Sequence, residues 1–303
     1  MKPKHSGNLR ILLTGRDGQI GSHLTRTLDP LGEVTATGRE DLDLSSDTSI
    51  RAMVRELRPQ LIVNAAAYTA VDKAESEPDF ARRLNAEAVA TLAAEAKHVG
   101  AAIIHYSTDY VFDGSKETPY VEDDRTHPLN IYGRTKLEGE QALAHAKVPY
   151  LVLRTSWVYG VAGKNFLLTI LQLATKRPEL RIIDDQIGAP TWSRDIAAAT
   201  ASIAERWRAG GFAASKSGVY HITAAGKTSW HGFAAEAIRL CQASPTGKGK
   251  AFARLTPISS AEYPTPAERP KNSQLDCTRL AHAFDCRMPD WKRSLAAVMA
   301  ALD

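Results

Sequence analysis

Three glycines near the beginning of the chain constrain its fold more than any other feature. They follow an apolar run at 9–14 and precede a segment, 22–31, with helical spacing of apolar residues. A glycine loop between a buried strand and a helix lets the backbone approach a pyrophosphate, and the helix N-terminus offers it unpaired N–H groups. An ordinary glycine-containing turn is the alternative, but this setting favours a dinucleotide site. The residues predicted to line the site are Gly15, Gly18, Gln19, Ile20 and Gly21.

Apolar runs and helical patterns alternate through the first half of the chain. The runs at 33–37, 61–64, 101–106 and 150–154 read as further strands, and a helical pattern precedes each of them. Strands joined by right-handed helical crossovers form a parallel sheet with helices on both faces. The predicted fold class is therefore α/β, with a Rossmann-type doubly wound parallel sheet.

Charged side chains follow the second predicted strand, where this architecture binds the adenosine ribose. Arg39 stands there, and Arg16 lies in the glycine loop. A guanidinium suits a ribose 2′-phosphate, which favours NADPH over NADH, although Arg39 as a solvated loop charge is the alternative. Asp43 and Leu44 could flank the adenine, or this segment could simply cap the next helix.

Small side chains follow the third predicted strand, at the edge of the sheet where ligands bind. They would let the backbone approach a flat ligand, although alanine-rich sequence by itself is uninformative. We expect cofactor contacts from Ala66, Ala67, Tyr68 and Thr69.

Two pairs of polar side chains suggest carbonyl chemistry. Ser107 and Thr108 end the fourth strand, where hydroxyls could bind a carbonyl oxygen or could form an ordinary turn. Tyr132 and Lys136 lie four residues apart, so on a helix they share one face. A free phenol has a pKa of about 10, and a neighbouring cation lowers it, which makes the pair a plausible general acid/base unit. Both residue types are also common on helix surfaces.

Charge and cysteine content exclude some classes of function. The net charge is +4, from 38 basic and 34 acidic residues, which implies no nucleic-acid surface and suits an anionic ligand. Three cysteines without metal-like spacing read as reduced thiols of a cytoplasmic protein. No apolar run approaches the roughly 20 residues of a membrane span. The polar start, 1–8, lacks the apolar core of a secretion signal.

Seven segments resemble the dTDP-4-dehydrorhamnose reductase family of the extended short-chain dehydrogenase/reductase superfamily. The segments at 14–21 and 132–136 mark the superfamily, whereas several others are specific to this family and its nearest relatives. The match covers nearly the whole chain in order. The segments are 14–21 (TGRDGQIG), 64–75 (NAAAYTAVDKAE), 107–114 (STDYVFDG), 132–136 (YGRTK), 153–160 (LRTSWVYG), 188–191 (GAPT) and 269–273 (RPKNS).

The resemblance implies NADPH-dependent reduction of the 4-keto group of dTDP-4-dehydro-β-L-rhamnose to dTDP-β-L-rhamnose, the last step of dTDP-rhamnose biosynthesis. It implies that Tyr132 supplies the proton, that Lys136 lowers the pKa of Tyr132 and holds the nicotinamide ribose, and that Thr108 polarises the carbonyl. Tyr110 and Trp157 would line the sugar site, since an aromatic ring packs on a pyranose face, although a core tryptophan is the alternative.

Further contacts are expected from the same resemblance. Tyr106 is assigned to the cofactor, and Asp109 and Asn165 to the substrate. Arg269, with Lys271, is a candidate for the substrate pyrophosphate, because buried phosphates need neutralising charge. As a surface pair these cations need no function.

The resemblance also implies two domains. Residues 1–160 plus 191–223 would form the dinucleotide-binding domain, and 161–190 plus 224–303 a smaller C-terminal substrate domain. Some family members form dimers bridged by magnesium through acidic side chains. This chain has Arg194 where such members have an acid, so we expect no bound metal and either a monomer or a homodimer.

Two other functions remain open from the sequence. One is a reductase or epimerase of another nucleotide-linked sugar. The other is a non-catalytic regulatory subunit, like that of methionine adenosyltransferase, but the presence of Thr108, Tyr132 and Lys136 argues against it.

Overall fold

A computed structural model describes residues 8–245 and 247–302. The polar start, 1–8, lies outside these residues except for Asn8. The strands are β1 (Leu9–Thr14), β2 (Gly32–Thr37), β3 (Leu61–Asn64), β4 (Ala102–Thr108), β5 (Tyr150–Thr155), β6 (Val158–Tyr159), β7 (Glu179–Ile183), β8 (Ile187–Gly188), β9 (Thr191–Trp192), β10 (Gly218–His221), β11 (Thr228–Ser229) and β12 (Arg254–Ile258). The helices are α1 (Gly21–Thr27), α2 (Asp47–Leu57), α3 (Val71–Ala74), α4 (Pro78–Arg82), α5 (Ala88–Val99), α6 (Ile131–Ala146), α7 (Phe166–Ala174), α8 (Ser193–Ala209), α9 (Trp230–Ala243), α10 (Thr278–Phe284) and α11 (Trp291–Leu302).

The central sheet has six strands in the order β10-β5-β4-β3-β1-β2. Every neighbouring pair in it is parallel. The chain places β2 on one side of β1 and β3 on the other, so the order reverses at β1. Ligands of open α/β sheets bind at the carboxyl ends of the strands beside such a reversal. The prediction of a doubly wound parallel sheet is confirmed.

Each face of the sheet carries its own apolar core, because successive side chains of a strand point to opposite faces. Leu13 and Ile104 pack on one face, together with Trp207 of α8. Leu12 and Ile103 pack on the other face, against α2, α5 and α6. Burial on both sides explains why the strands read as continuous apolar runs rather than alternating ones.

The helical segment that precedes β4 contains an interruption. A π-helical segment, Arg83–Glu87, separates α4 from α5, and Gly100 ends α5 in a left-handed conformation with φ of 75°. The side chain of Asn85 in this segment is buried and faces the loop after β3. Such π segments are often found next to functional sites.

A further apolar cluster gathers α7, α9 and α11 around Phe233 and Trp291. The division into two domains stays a prediction. Helix α10, which the prediction assigns to the smaller domain, packs on the sheet through Leu280 and Phe284. Within the residues that the structure describes, no helix combines the length and the apolarity of a membrane span.

Candidate active site

The glycine loop after β1 is closed by two contacts that only glycine allows. Gly15 has a φ of 75°, and a Cβ there would lie 2.7 Å from the backbone nitrogen of Ala66. A Cβ on Gly21 would lie 1.9 Å from the carbonyl oxygen of Gly15. The N–H of Gly18 donates to that same oxygen at 3.0 Å, which completes the turn. The spacing of the three glycines therefore follows from backbone packing.

The same loop fits a ligand that carries phosphate and hydroxyl groups. Across 8–245 and 247–302 we find no acceptor for the backbone N–H groups of Gln19 and Ile20. The side-chain oxygen of Gln19 and the hydroxyl of Ser193 are buried and also lack partners. Unpaired buried polar atoms are uncommon in folded proteins, so these groups suit a bound dinucleotide.

Charged groups at the end of β2 are exposed. Arg39 is exposed and has no hydrogen bond or ion pair within the described part of the chain. Arg16 Nη1 binds Asp41 Oδ2 at 2.8 Å and the carbonyl oxygen of Ala36 at 3.2 Å. The N–H of Gly38 donates to the same Asp41 oxygen at 2.8 Å. A guanidinium and a carboxylate therefore both face the predicted ribose position.

The predicted adenine contacts are only partly available. Asp43 is exposed, and Ser45 donates to it from both its N–H and its hydroxyl, which holds the pKa of Asp43 below its usual value. Leu44 packs on the core beneath. Tyr68 turns its ring inwards, and its hydroxyl donates to Glu77 at 2.7 Å. The hydroxyl of Tyr68 is therefore already occupied within the chain.

The small residues 65–67 and Thr69 form an irregular segment after β3 that passes the glycine loop. The N–H of Ala66 lies 3.4 Å from Thr14 Oγ1, and Ala67 is half-buried while Thr69 is exposed. Asn85 fixes the end of this segment by accepting from the Tyr68 N–H at 2.8 Å and donating to its carbonyl oxygen at 3.1 Å.

Helix α6 carries Tyr132 and Lys136 on one face, as their spacing predicts. Asn130 caps the helix by accepting from the N–H of Gly133 at 2.8 Å. A Cβ on Gly133 would lie 2.1 Å from the carbonyl oxygen of Tyr110, so glycine lets α6 pack directly on the loop after β4. The first turn of α6 thus meets the end of β4.

Three polar groups converge where α6 meets β4. The hydroxyl of Tyr132 lies beside that of Thr108, which acts to lower the pKa of the phenol. Thr108 Oγ1 also donates to Asp109 Oδ1 at 3.0 Å and accepts from the N–H of Tyr110 at 3.1 Å. The second carboxylate oxygen of Asp109 is buried and has no partner among the described residues. Burial raises the pKa of Asp109 to about 6.

The pKa of Tyr132 differs from the prediction. Burial, with the Asp109 carboxylate nearby, raises this pKa above its usual value, although the neighbouring Thr108 hydroxyl opposes the shift. The expected lowering by Lys136 is absent because the ammonium points elsewhere. Lys136 Nζ lies 2.6 Å from the carbonyl oxygen of Tyr106 and 3.2 Å from His105 Nε2. The phenol is therefore protonated at neutral pH, as a proton donor must be.

The predicted substrate residues lie around this group of hydroxyls. The ring of Tyr110 meets that of Tyr132 edge to face, with centroids 5.8 Å apart. Arg269 binds Asp72 at 2.8 Å, and its guanidinium lies near the hydroxyl of Tyr110. Trp157 is half-buried at a positive φ of 48°, and its indole stacks on Trp230 with centroids 3.6 Å apart. One face of the predicted sugar wall is therefore covered.

Known proteins resemble this chain along nearly its whole length. A family model described as the RmlD substrate binding domain matches residues 9–303. The dTDP-4-dehydrorhamnose reductase of Burkholderia thailandensis is 48% identical over 287 residues, which cover 94% of this chain and 96% of that protein. The chain belongs to the dTDP-4-dehydrorhamnose reductase family.

Solved structures of the family share the fold. The dTDP-4-dehydrorhamnose reductase of Clostridium acetobutylicum is 36% identical, with a TM-score of 0.88 over 97% of this chain and 99% of that one. The enzyme of Bacillus anthracis, solved in complex with NADP, is 32% identical, with a TM-score of 0.87 over the same shares of the two chains.

Two residues assigned to the site of this dTDP-4-dehydrorhamnose reductase family member have other partners. The side chain of Tyr106 lies in the core, where its hydroxyl is 2.7 Å from Thr200 Oγ1, so only its carbonyl oxygen faces α6. Asn165 caps α7 by accepting from the N–H of Leu168 at 3.0 Å. Its amide group also donates to the carbonyl oxygens of Gly160 and Ala162. Sequence spacing does not reveal which side-chain groups are already occupied, and the assignment of both residues to the site stays a prediction.

Sequence reasoning missed several groups that lie at the site of this family member. Asp72 pairs with Arg269, and Ser273 lies close enough to Asp109 to act against the rise of its pKa. The hydroxyl of Thr155 at the end of β5, like that of Ser107 at the end of β4, is buried without a partner among the described residues. The strand-end position that singles out Ser107 in the sequence applies equally to Thr155.

Proposed function

We propose that the chain reduces the 4-keto group of dTDP-4-dehydro-β-L-rhamnose to the hydroxyl of dTDP-β-L-rhamnose, with NADPH as the hydride donor. The observation that carries the proposal is that the Tyr132 hydroxyl lies beside Thr108 at the carboxyl end of β4, where Thr108 is held by buried Asp109. It stands in a chain whose curated relatives are named dTDP-4-dehydrorhamnose reductase at 40% identity or more over at least 94% of its length.

The proton would come from Tyr132. Its raised pKa keeps the phenol protonated at neutral pH, so it can donate to the oxygen that becomes negatively charged as C4 is reduced. Thr108 would turn its O–H from Asp109 to the same oxygen and stabilise the developing charge. A fixed donor in a site that excludes water stabilises a developing negative charge more strongly than the same donor in bulk water.

Bound NADPH would supply the hydride to C4. The chain would hold it with the backbone of Gly15, Gly18, Gln19, Ile20 and Gly21 at the pyrophosphate, with 66–69 beside the ring system, and with Lys136 at the nicotinamide ribose. Arg39, free of partners, is the proposed ligand of the 2′-phosphate. Asp41 beside Arg16 could also receive ribose hydroxyls, so use of NADH at lower affinity is part of the proposal.

Arg269 is the proposed contact for the substrate pyrophosphate. It is one-fifth exposed and is held by Asp72, which prevents its charge from being buried alone. Tyr110 and Trp157 remain the proposed sugar contacts. For Trp157 this requires the free edge of the indole, since Trp230 covers one face.

We propose a monomer or a homodimer without a metal bridge. The guanidinium of Arg194 lies over the ring of Trp192, with 5.2 Å between them, at the position where an acidic ligand is expected in metal-bridged relatives. A cytoplasmic location is proposed from the cysteine content of the sequence, three cysteines without metal-like spacing. Light scattering of the purified protein with and without a chelator should give the same mass, whereas a chelator-dependent change would contradict the proposal.

A substrate panel tests the proposed function. Purified protein is mixed with NADPH and with the 4-keto sugars of dTDP, UDP and GDP, and the absorbance of NADPH is followed. We expect consumption with the dTDP sugar and little with the others. Consumption only with a UDP or GDP sugar would move the assignment to another nucleotide sugar, and no consumption with any of them would favour a non-catalytic role.

A further inference from the structure

A row of four buried polar side chains crosses the sheet beneath the proposed site. Thr14, Asn64 and His105 occupy matching register positions on β1, β3 and β4, and Lys136 meets them from α6. Thr14 Oγ1 lies 2.6 Å from Asn64 Oδ1, Asn64 Nδ2 lies 3.0 Å from His105 Nδ1, and His105 Nε2 lies 3.2 Å from Lys136 Nζ. Each of the four residues is at most 2% exposed.

The position of the row is otherwise suited to apolar residues. Two residues earlier on the same strands, Leu12, Ile62 and Ile103 fill the core on the same face of the sheet. Buried polar groups are retained only when they are hydrogen-bonded, and an apolar row would avoid that requirement. The polar row therefore calls for an explanation beyond packing, and its one charged end is Lys136.

Lys136 can be satisfied in this row as an ammonium in only one way. The ammonium has donors and no acceptor, so His105 Nε2 must accept and the imidazole proton must lie on Nδ1. Nδ1–H then needs an acceptor, which requires the amide of Asn64 to present its oxygen to His105. Its nitrogen would donate to Thr14 Oγ1 at the other end.

The opposite arrangement fits a neutral amine. If Asn64 Nδ2 donates to His105 Nδ1, the imidazole proton lies on Nε2 and faces Lys136. An amine nitrogen has a lone pair that can accept this proton while one of its N–H groups still donates to the Tyr106 carbonyl oxygen at 2.6 Å. The same heavy atoms thus support two hydrogen-bond arrangements, and the protonation state of Lys136 selects between them.

Other charges near Lys136 are few. Glu140 lies one turn along α6, favours the ammonium form and is itself bound by Arg154 through contacts of 2.9 and 2.6 Å. Tyr132 precedes it on the helix, and Asp109 lies beyond Tyr132. Burial lowers the pKa of Lys136 to about 8, and burial keeps the pKa of His105 well below its usual value. His105 therefore stays neutral where Lys136 titrates.

We propose that His105 is a positioning residue that holds Lys136 through Nε2 and changes its tautomer when Lys136 gains or loses its proton. The catalytic part of this inference rests on the proposed function, in which Lys136 holds the nicotinamide ribose. The tautomer change itself does not depend on the proposed function. As a neutral acceptor, His105 stabilises the ammonium form of Lys136 and extends the pH range over which that form persists.

Long-range proton–nitrogen NMR on histidine-labelled protein tests the tautomer directly, without substrate or turnover. Spectra are recorded from about pH 6.5 to about pH 9.5, and the His105 signals are identified by their loss in His105→Gln. We expect the proton on Nδ1 at low pH and on Nε2 at high pH, with the change abolished in Lys136→Met. One tautomer at every pH in the wild type, or an identical change in Lys136→Met, would overturn the proposal.

The pH dependence of NADPH oxidation tests the consequence. His105→Met removes the acceptor, and loss of one hydrogen bond to a charged group should shift the alkaline midpoint of kcat down by about one to two pH units. His105→Gln offers an amide oxygen and should restore the midpoint to within about half a unit. A midpoint that does not move in His105→Met, or moves equally in both variants, would contradict the role.

His221 provides the matched control, since it is another fully buried histidine, on β10, with the Asp276 carbonyl oxygen 3.1 Å from its Nδ1. His221→Met should lower the unfolding midpoint in urea without moving the pH midpoint. If His105→Met does not fold, the NMR comparison of wild type with Lys136→Met and the pH dependence of kcat in His105→Gln still test the proposal. Absence of any reductase activity would overturn the proposed function and leave the tautomer result as the test of this inference.

Discussion

The ends of β4 and β2 lie at the same edge of one sheet, but their polar groups are organised in different ways. At the β4 end, Thr108 and Asp109 are buried and bonded to each other, and Tyr132 packs against them. At the β2 end, Arg39 is exposed and free of partners within the described residues, and Arg16 pairs with Asp41 in contact with solvent.

The difference indicates how each end can contribute to function. Buried donors are fixed before the ligand arrives, and they act in a medium that screens charge weakly. Exposed guanidinium groups must be ordered by the ligand and are screened by salt. We therefore expect large effects on rate at the β4 end and modest effects on cofactor preference at the β2 end.

The largest effect is expected for Tyr132→Phe, which removes the proposed proton donor and keeps the ring. The kcat for NADPH oxidation should fall by about 10² to 10⁴, because this is the usual contribution of a general acid. The dissociation constant of NADPH, measured by fluorescence titration, should change little. Tyr110→Phe is the control on the neighbouring ring and should mainly raise KM. Equal losses of kcat in both variants would remove the special role of Tyr132.

The next largest effect is expected for Thr108→Val, because valine has the shape of threonine but lacks the hydroxyl. Loss of one donor to the developing negative charge should lower kcat by about 10² to 10³. Thr155→Val, at the end of β5, offers a comparison with a buried hydroxyl that has no partner. A similar fall of kcat in both variants would show that the Thr108 hydroxyl has no special role beside Tyr132.

A stability effect is expected from Asp109. Its pKa is about 6 when folded, against an ordinary value of 3.8, so the folded protein binds more protons than the unfolded chain between those values. Stability should therefore fall as the pH rises from about 4 to about 6, by at most about 3 kcal/mol. Asp109→Asn should remove this fall, and urea unfolding of both proteins across that range measures the difference. Parallel stability curves would contradict the raised pKa.

The smallest effect is expected for Arg39→Ala at the β2 end. If the guanidinium binds a 2′-phosphate, the affinity for NADPH should fall about tenfold while that for NADH stays within about twofold. The difference should shrink at high salt, because both partners are exposed. Equal weakening of NADPH and NADH binding would show that Arg39 acts only as a general surface charge. Arg16 would then be the residue to test for cofactor selectivity.

The fold was predictable because its signals are local. The apolar run of β1, the glycine loop and the helical spacing after it lie within about thirty residues, and the same pattern recurs for the later strands. The placement of Tyr132 and Lys136 on one face of α6 followed from helix geometry alone.

Other parts of the site depend on contacts between residues distant in sequence. The partner of Lys136 is His105 on β4, and Trp157 stacks on Trp230 of α9. Neither pair has a spacing that a sequence pattern could reveal. The raised pKa of Tyr132 has the same origin, since it depends on burial that only the packed structure defines.

The position of hydride transfer tests the central claim most directly. The protein is incubated with dTDP-4-dehydro-β-L-rhamnose and NADPH that carries deuterium at the transferred position, and the product sugar is studied by proton NMR. The account predicts deuterium at C4 of dTDP-β-L-rhamnose, and none at C3 or C5. Deuterium at another carbon, or no deuterated product at all, would contradict it.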